Sequence, residues 1–320
     1  MTRILLHAAD PAPLIAFVEA RAPGLAVRGC DSYAALPQAV QDLRPDVVFT
    51  IRFAGTPGFP AAALTGAGGP RWIAVGGSGV DHLGGWDASR VTVTNAAGVA
   101  ADQMAEYAIG AALHFRLDVP GLLADRAARH WRRERVMRPL REGHALIVGL
   151  GRTGQAVALR AQAMGMRVTG VRNTRVPVPG VDAVQVPGDL PGLWPLADLV
   201  VVCTPLTQAT RGLVDAAAIA AMKPDAVIVD VSRGGVVDGN ALADALAAGH
   251  LAGAALDVFE TEPLPPDHPL WAAPRVLISP HCSSVFEGWE MATIAMFGDN
   301  LERYLRGQPL FNVVDAARGY

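Results

Sequence analysis

The chain has 320 residues, 51% of them hydrophobic and 18% charged, with a formal net charge of −3. That length suits about two domains with sizeable cores, and the mild charge argues against nucleic acid or a membrane surface as the main partner. The three cysteines, Cys30, Cys203 and Cys282, follow no repeating spacing, so neither a disulfide framework nor a metal site is expected. The N-terminal apolar stretch is too short for a secretory signal core. No run approaches the ~20 apolar residues of a membrane helix. A soluble cytoplasmic protein is the expectation.

Short apolar runs alternate with Ala-rich stretches, the pattern of parallel sheets with crossover helices. RILLHA (3–8) reads as a strand and PLIAFVEARA (13–22) as a helix. VVFTI (47–51), RWIAVGG (71–77) and VTVTNAA (91–97) are further strands. Residues 99–118 read as a long helix, with Asp102 and Glu106 favouring its first turns. HALIVG (144–149), MRVTGV (166–171), DLVVVC (198–203), AVIVDV (226–231), GAALDV (253–258) and RVLISP (275–280) are strands, and QAVALRAQAMG (155–165) is a helix. The apolar runs are unbroken, as in strands covered on both faces. A helix over 286–307 and the segment PLFNVV (309–314) end the chain. The fold class is α/β with two domains and parallel sheets. One domain, discontinuous, takes 1–98 and 285–320; the other takes 99–284.

The run GLGRTG (149–154) follows a strand, opens a helix and precedes a second strand. A lone GxGxxG marks only a glycine turn, but this context makes it a dinucleotide fingerprint. Gly149 permits the tight turn, Gly151 lets backbone approach the pyrophosphate, and Gly154 lets helix pack on strand. Amides of Arg152 and Thr153 at the helix N-terminus can face the phosphates. An NAD site places a carboxylate at the end of the second strand. Here Arg172, Asn173, Thr174 and Arg175 stand there, and no carboxylate appears before Asp182. Two guanidinium groups suit a 2′-phosphate, so NADP is the preferred cofactor, with NAD possible. A plain solvated loop is the competing reading.

Downstream come VSRGGVVDG (231–239), LDVFETEPLP (256–265) and SPHCSS (279–284). They deliver Arg233, Glu262 and His281. Imidazole exchanges protons near neutral pH, and a carboxylate on its far nitrogen fixes the tautomer. A planar guanidinium holds a carboxylate by two bonds. Singly, each residue is ordinary: a structural His, a turn Glu, an Arg beside glycines. Together, with a fingerprint upstream, they point to one site.

With these runs, GGSGVDHL (76–83) and CTPLTQATRGLV (203–214) in the same order, the chain resembles the D-isomer-specific 2-hydroxyacid dehydrogenases. The likeness is to the glyoxylate/hydroxypyruvate reductases in particular, and it covers nearly the whole length. It implies two Rossmann-like domains, a cleft active site and a homodimer. His281 is then the general acid, Glu262 its partner and Arg233 the carboxylate binder. Asp257 meets the nicotinamide carboxamide, and Thr204 and Pro205 lie against the cofactor. The amides of Ser78 and Gly79 hold the substrate carboxylate, although a plain glycine turn remains open there. Arg52, at a strand end, enters the cleft or is a surface charge. Trp289 shapes the pocket or packs in the core. Cys282 needs no redox role, and HWRRERVMR (130–138) reads as a solvated or dimer-facing helix.

These features together describe reduction of small 2-oxo acids, glyoxylate and hydroxypyruvate first, to D-2-hydroxy acids. Two alternatives stay open: a phosphoglycerate-type dehydrogenase, and a dinucleotide-sensing protein with vestigial catalysis.

Overall fold

The computed structural model describes residues 1–52, 56 and 58–320. It divides into two compact units, Met1–Val99 with Phe286–Tyr320, and Ala100–Val285. Both are α/β units built on a parallel sheet.

The first unit contains β1 (Arg3–His7), α1 (Ala12–Arg21), β2 (Ala26–Cys30), α2 (Leu36–Leu43), β3 (Val47–Thr50), α3 (Ala61–Thr65), β4 (Trp72–Val75) and β5 (Thr92–Asn95). Its sheet order is β2-β1-β3-β4-β5. The runs VVFT and WIAV are buried at every position, because helices cover both faces of a parallel sheet. The edge strand β2 (AVRGC) buries only Cys30, so it carries no continuous apolar run. The C-terminal segment returns to the opposite edge. There Thr94 and Val313 form an antiparallel bridge, and Val314 N donates to Val93 O. Trp72, fully buried, donates from Nε1 to Thr94 Oγ1 at 2.9 Å. Replacing Thr94 by Val strands that N–H in an apolar setting, which costs about 1–3 kcal/mol. Thermal unfolding of Thr94→Val should show the loss, and Thr94→Ser should recover most of it.

In chain order the second unit contains α4 (Ala101–Arg116), α5 (Val119–Ala127), β6 (His144–Val148), α6 (Arg152–Ala163), β7 (Arg167–Val171), β8 (Ala183–Gln185), α7 (Leu190–Leu193), β9 (Leu199–Val202), α8 (Ala216–Ala221), β10 (Val227–Asp230), α9 (Gly239–Ala247), β11 (Gly253–Leu256) and β12 (Val276–Ile278). The last helix, α10 (Trp289–Leu305), belongs to the first unit. It starts later than the sequence pattern suggests, and Gly288 at its N-cap is left-handed. Trp289 packs against the first unit's core.

The second sheet runs β12-β11-β10-β9-β6-β7-β8, all parallel. Chain order reverses between β6 and β9, and ligands of open α/β sheets sit at such a switch point. Helix α4 packs on α6. Each turns a small-residue stripe inward: Ala105, Ala108 and Ala112 on α4, and Gly154, Ala158 and Ala161 on α6. Such stripes let backbones approach closely. Helix α5 buries none of its residues.

The basic stretch 130–138, expected to be helical, is irregular with one turn. Tertiary ion pairs override local pattern there. The Arg135 guanidinium reaches back to Asp118 and Asp125 and to the Gly121 carbonyl.

Asp230, at the end of β10, is 2% exposed. Burial pushes its carboxyl up to about 7, assisted by nearby Asp257 and opposed by hydrogen bonds from Ser232. The folded chain therefore keeps a proton that the unfolded chain has released, between roughly pH 4 and 7. Stability from this group falls as pH rises through that window and is flat above it. Asp230→Asn removes the penalty. Its melting temperature relative to the parent should rise more at pH 8 than at pH 5, and an equal gain at both would contradict this assignment.

Candidate active site

The glycine turn sits at the switch point. Gly149 has φ +106°, and a Cβ there would lie 2.8 Å from Cys203 O and 2.9 Å from Thr204 N. A Cβ on Gly154 would collide with the Gly149 carbonyl. Both positions need glycine so that α6 closes on the ends of β6 and β9. At Gly151 a Cβ would meet nothing within 4 Å, so space is open directly before the helix. Gly151 is the N-cap and supplies no side chain to the first turn. The first helical donor of α6 is Gln155 N, to Gly151 O. The amides of Arg152, Thr153 and Gly154 are thus helix-start donors, which suit an anion. Thr153 Oγ1 points at Met104 Sδ, 3.7 Å away. Thr204 and Pro205 follow β9, and Pro205 O accepts from Thr210 Oγ1 at 2.6 Å.

At the end of β7, Arg172 is half-buried and Asn173, Thr174 and Arg175 are exposed. Among the described residues, Arg172 has no ion-pair partner. Arg175 does: Nη2 lies 2.8 Å from Asp189 Oδ2, and Nη1 bonds Gln185. Asp182, exposed, accepts from Val168 N at 2.7 Å. No carboxylate of β7 or its following turn is placed to accept ribose hydroxyls. An open space at Gly151 and three helix-start amides fit the pyrophosphate of a dinucleotide.

Glu262 and His281 come together. Glu262 Oε2 lies 2.8 Å from His281 Nδ1, with side-chain exposures of 24% and 32%. Glu262 Oε1 accepts from Phe259 N at 3.0 Å, which fixes the carboxylate on its own turn. An ionised Glu assigns the Nδ1 proton to this bond and leaves Nε2 for chemistry. His281 itself is left-handed, φ 52°.

Arg233 stands on the turn after β10. Its Nη1 donates to Ser232 O at 2.7 Å. Asp230 Oδ1 accepts from Ser232 N at 2.9 Å and Oγ at 2.5 Å, which shapes that turn. The next residue, Gly234, presses on the Phe259–Glu260 backbone, and any Cβ there would collide with Phe259 O. The SRGG turn and the FETEP turn are therefore in backbone contact, and Arg233 is held beside the segment that carries Glu262.

Asp257, 1% exposed, takes four bonds from the chain itself. Oδ1 accepts from Ser279 Oγ (2.5 Å) and Cys282 N (2.8 Å), and Oδ2 accepts from Ser283 N (3.0 Å) and Oγ (2.5 Å). A carboxylate offers about four lone-pair sites, so a cofactor amide would share an oxygen already bonded. Sequence reading missed Asp230, Ser279, Ser283 and Tyr107. Only the positions of Ser279 and Ser283, two residues either side of His281, could have signalled any of them.

In the first unit, Ser78 is exposed and Gly79 half-buried after β4. Among the described residues, their amides donate to no protein group, while Ser78 O accepts from Asn95 Nδ2 at 2.7 Å. Arg52 is 44% exposed, with Nη1 3.9 Å from Asp81 Oδ2. Cys282 is exposed, and burial pushes its thiol up, so it is no activated thiolate. A cavity of about 500 Å³ lies in the second unit between the 235–240 and 258–270 segments. Arg233, Glu262 and His281 do not line it.

A family model described as D-isomer specific 2-hydroxyacid dehydrogenase, NAD binding domain, matches residues 110–283. A glyoxylate reductase of Korarchaeum cryptofilum is 35% identical, over 70% of this chain and 69% of that protein. A D-3-phosphoglycerate dehydrogenase of Methanocaldococcus jannaschii is 34% identical over 75% of this chain but 46% of its own length. The chain thus spans about half of that relative. A crystal structure of a D-isomer specific 2-hydroxyacid dehydrogenase from Xanthobacter autotrophicus, in complex with NADPH and MES, has a TM-score of 0.83 and 30% identity, covering 100% of this chain and 99% of that one. The chain belongs to the D-isomer specific 2-hydroxyacid dehydrogenase family.

Proposed function

We propose that this oxidoreductase is an NADPH-preferring reductase of small 2-oxo acids, with glyoxylate and hydroxypyruvate as leading substrates and D-2-hydroxy acids as products. The observation that carries the chemistry is the 2.8 Å pairing of His281 Nδ1 with Glu262. When bound, the reduced nicotinamide supplies a hydride to the 2-oxo carbon. His281 Nε2 gives the carbonyl oxygen its proton, and Glu262 stabilises the ring while it carries charge. Arg233 holds the substrate carboxylate and polarises the carbonyl beside it. The amides of Ser78 and Gly79 assist with the carboxylate, and Arg52 biases the site toward acidic or polar substrates.

The cofactor reading rests on Arg172, placed where a carboxylate would serve NAD. Asn173, Thr174 and Arg175 complete that turn. The relative solved with NADPH supports it. A glyoxylate reductase among the relatives supports the smaller substrates. A homodimer fits the exposed apolar groups after α5, where Trp131 is 85% and Val136 83% exposed. No helix of the described residues is long and apolar enough to cross a membrane, and a cytoplasmic site of action fits the three free thiols.

The test is a matrix of initial rates, NADPH and NADH against glyoxylate, hydroxypyruvate, pyruvate, phenylpyruvate and 3-phosphohydroxypyruvate. NADPH should give the lower KM, and the two small acids the highest kcat/KM. Arg172→Ala should raise KM for NADPH roughly 10- to 100-fold, the value of a charge-assisted contact, and leave that for NADH nearly unchanged. A lower KM for NADH in the parent would overturn the cofactor preference. Binding of nucleotide without turnover of any 2-oxo acid would favour a sensor.

A further inference from the structure

Tyr107 lies in the middle of α4, and its hydroxyl is 2.8 Å from Ser279 Oγ. Ser279 Oγ is in turn 2.5 Å from Asp257 Oδ1. An ionised carboxylate only accepts. The single Ser279 proton therefore goes to Asp257, and Tyr107 must donate to Ser279. The result is a one-way chain of hydrogen bonds, each polarising the next. Burial pushes the Tyr107 phenol up to about 12, so it stays a donor across the working pH range.

The chain ends on the turn that carries His281. Asp257 accepts from Cys282 N, Ser283 N and Ser283 Oγ, and its backbone carbonyl accepts from His281 N at 2.9 Å. Of residues 279–283, only Pro280 lacks a bond to Asp257. The left-handed φ of His281, 52°, is costly for a residue with a Cβ and persists only where the surroundings over-determine it. The bonds to Asp257 supply that constraint, and Tyr107 braces them from a separate helix.

We infer that Tyr107 is a positioning residue, acting through Ser279 and Asp257 to hold the 279–283 turn so that His281 meets Glu262. This inference rests on His281 being the acid–base group of a 2-oxo acid reductase. A Tyr that merely packs α4 against the sheet would contribute to folding and not to kcat.

The experiment compares full-length Tyr107→Phe, Ser279→Ala and Ser279→Thr with the parent, measuring kcat, KM for NADPH and thermal unfolding with glyoxylate as substrate. Tyr107→Phe should lower kcat about tenfold, as for a bond to a charged network, with KM for NADPH and the melting temperature nearly unchanged. Ser279→Ala should lower kcat at least as far, and Ser279→Thr, which keeps the hydroxyl, should restore it. Parent-like kcat in Tyr107→Phe overturns the inference, whatever Ser279→Ala shows, and leaves the reductase reading intact. A kcat loss that follows a drop in melting temperature, and that Ser279→Thr fails to restore, also overturns it. A parent enzyme inactive on every 2-oxo acid removes the reductase reading and this inference with it.

Discussion

Everything at the site depends on two turns being pressed together until Glu262 and His281 share one hydrogen bond, 2.8 Å long. Both residues lie outside the regular elements. Glu262 is fixed by a bond from Phe259 N on its own turn. His281 is fixed in a left-handed conformation by a turn wrapped around Asp257. The Arg233 turn joins them because Gly234 lets backbone pack on backbone at Phe259–Glu260. An alanine at that position would push Arg233 away from the Glu262–His281 pair without altering any of the three side chains.

The cost of this arrangement appears in the buried acids. Asp230 and Asp257 lie at the ends of neighbouring strands, both almost fully buried. Isolated carboxylates are disfavoured there. Asp257 is satisfied by four donors, whereas for Asp230 burial outweighs the Ser232 bonds and its carboxyl rises to about 7. The cofactor end shows the opposite balance. Its helix-start amides concentrate positive potential beside the open space at Gly151, which attracts anions.

The α/β class and the central strands were legible because a strand buried on both faces must be apolar throughout, as VVFT and WIAV are. Edge strands escape that rule. None of β8 is fully buried and only one residue of β2 is, so neither declares itself. Residues 130–138 misled for a related reason: their charges look like a solvated helix, but Arg135 is spent on Asp118 and Asp125. At the site, residues beside turn signals could be read, since Arg233, Glu262 and His281 each adjoin glycine or proline. Tyr107 could not. On the helix it is one more partly apolar residue, and its bond to Ser279 spans 172 positions. The clamp on Asp257 is likewise a product of tertiary convergence that no local spacing announces.

The central claim is that the His281–Glu262 pair moves the proton. The direct measurement is kcat for NADPH-dependent glyoxylate reduction by His281→Asn and Glu262→Gln, beside NADPH affinity measured by fluorescence titration. Loss of roughly 10²–10⁴-fold in His281→Asn, a smaller loss in Glu262→Gln and parent-like NADPH affinity in both is the outcome that general acid catalysis requires. Turnover in His281→Asn within a few-fold of the parent would contradict the claim, and the proton donor would have to be sought elsewhere.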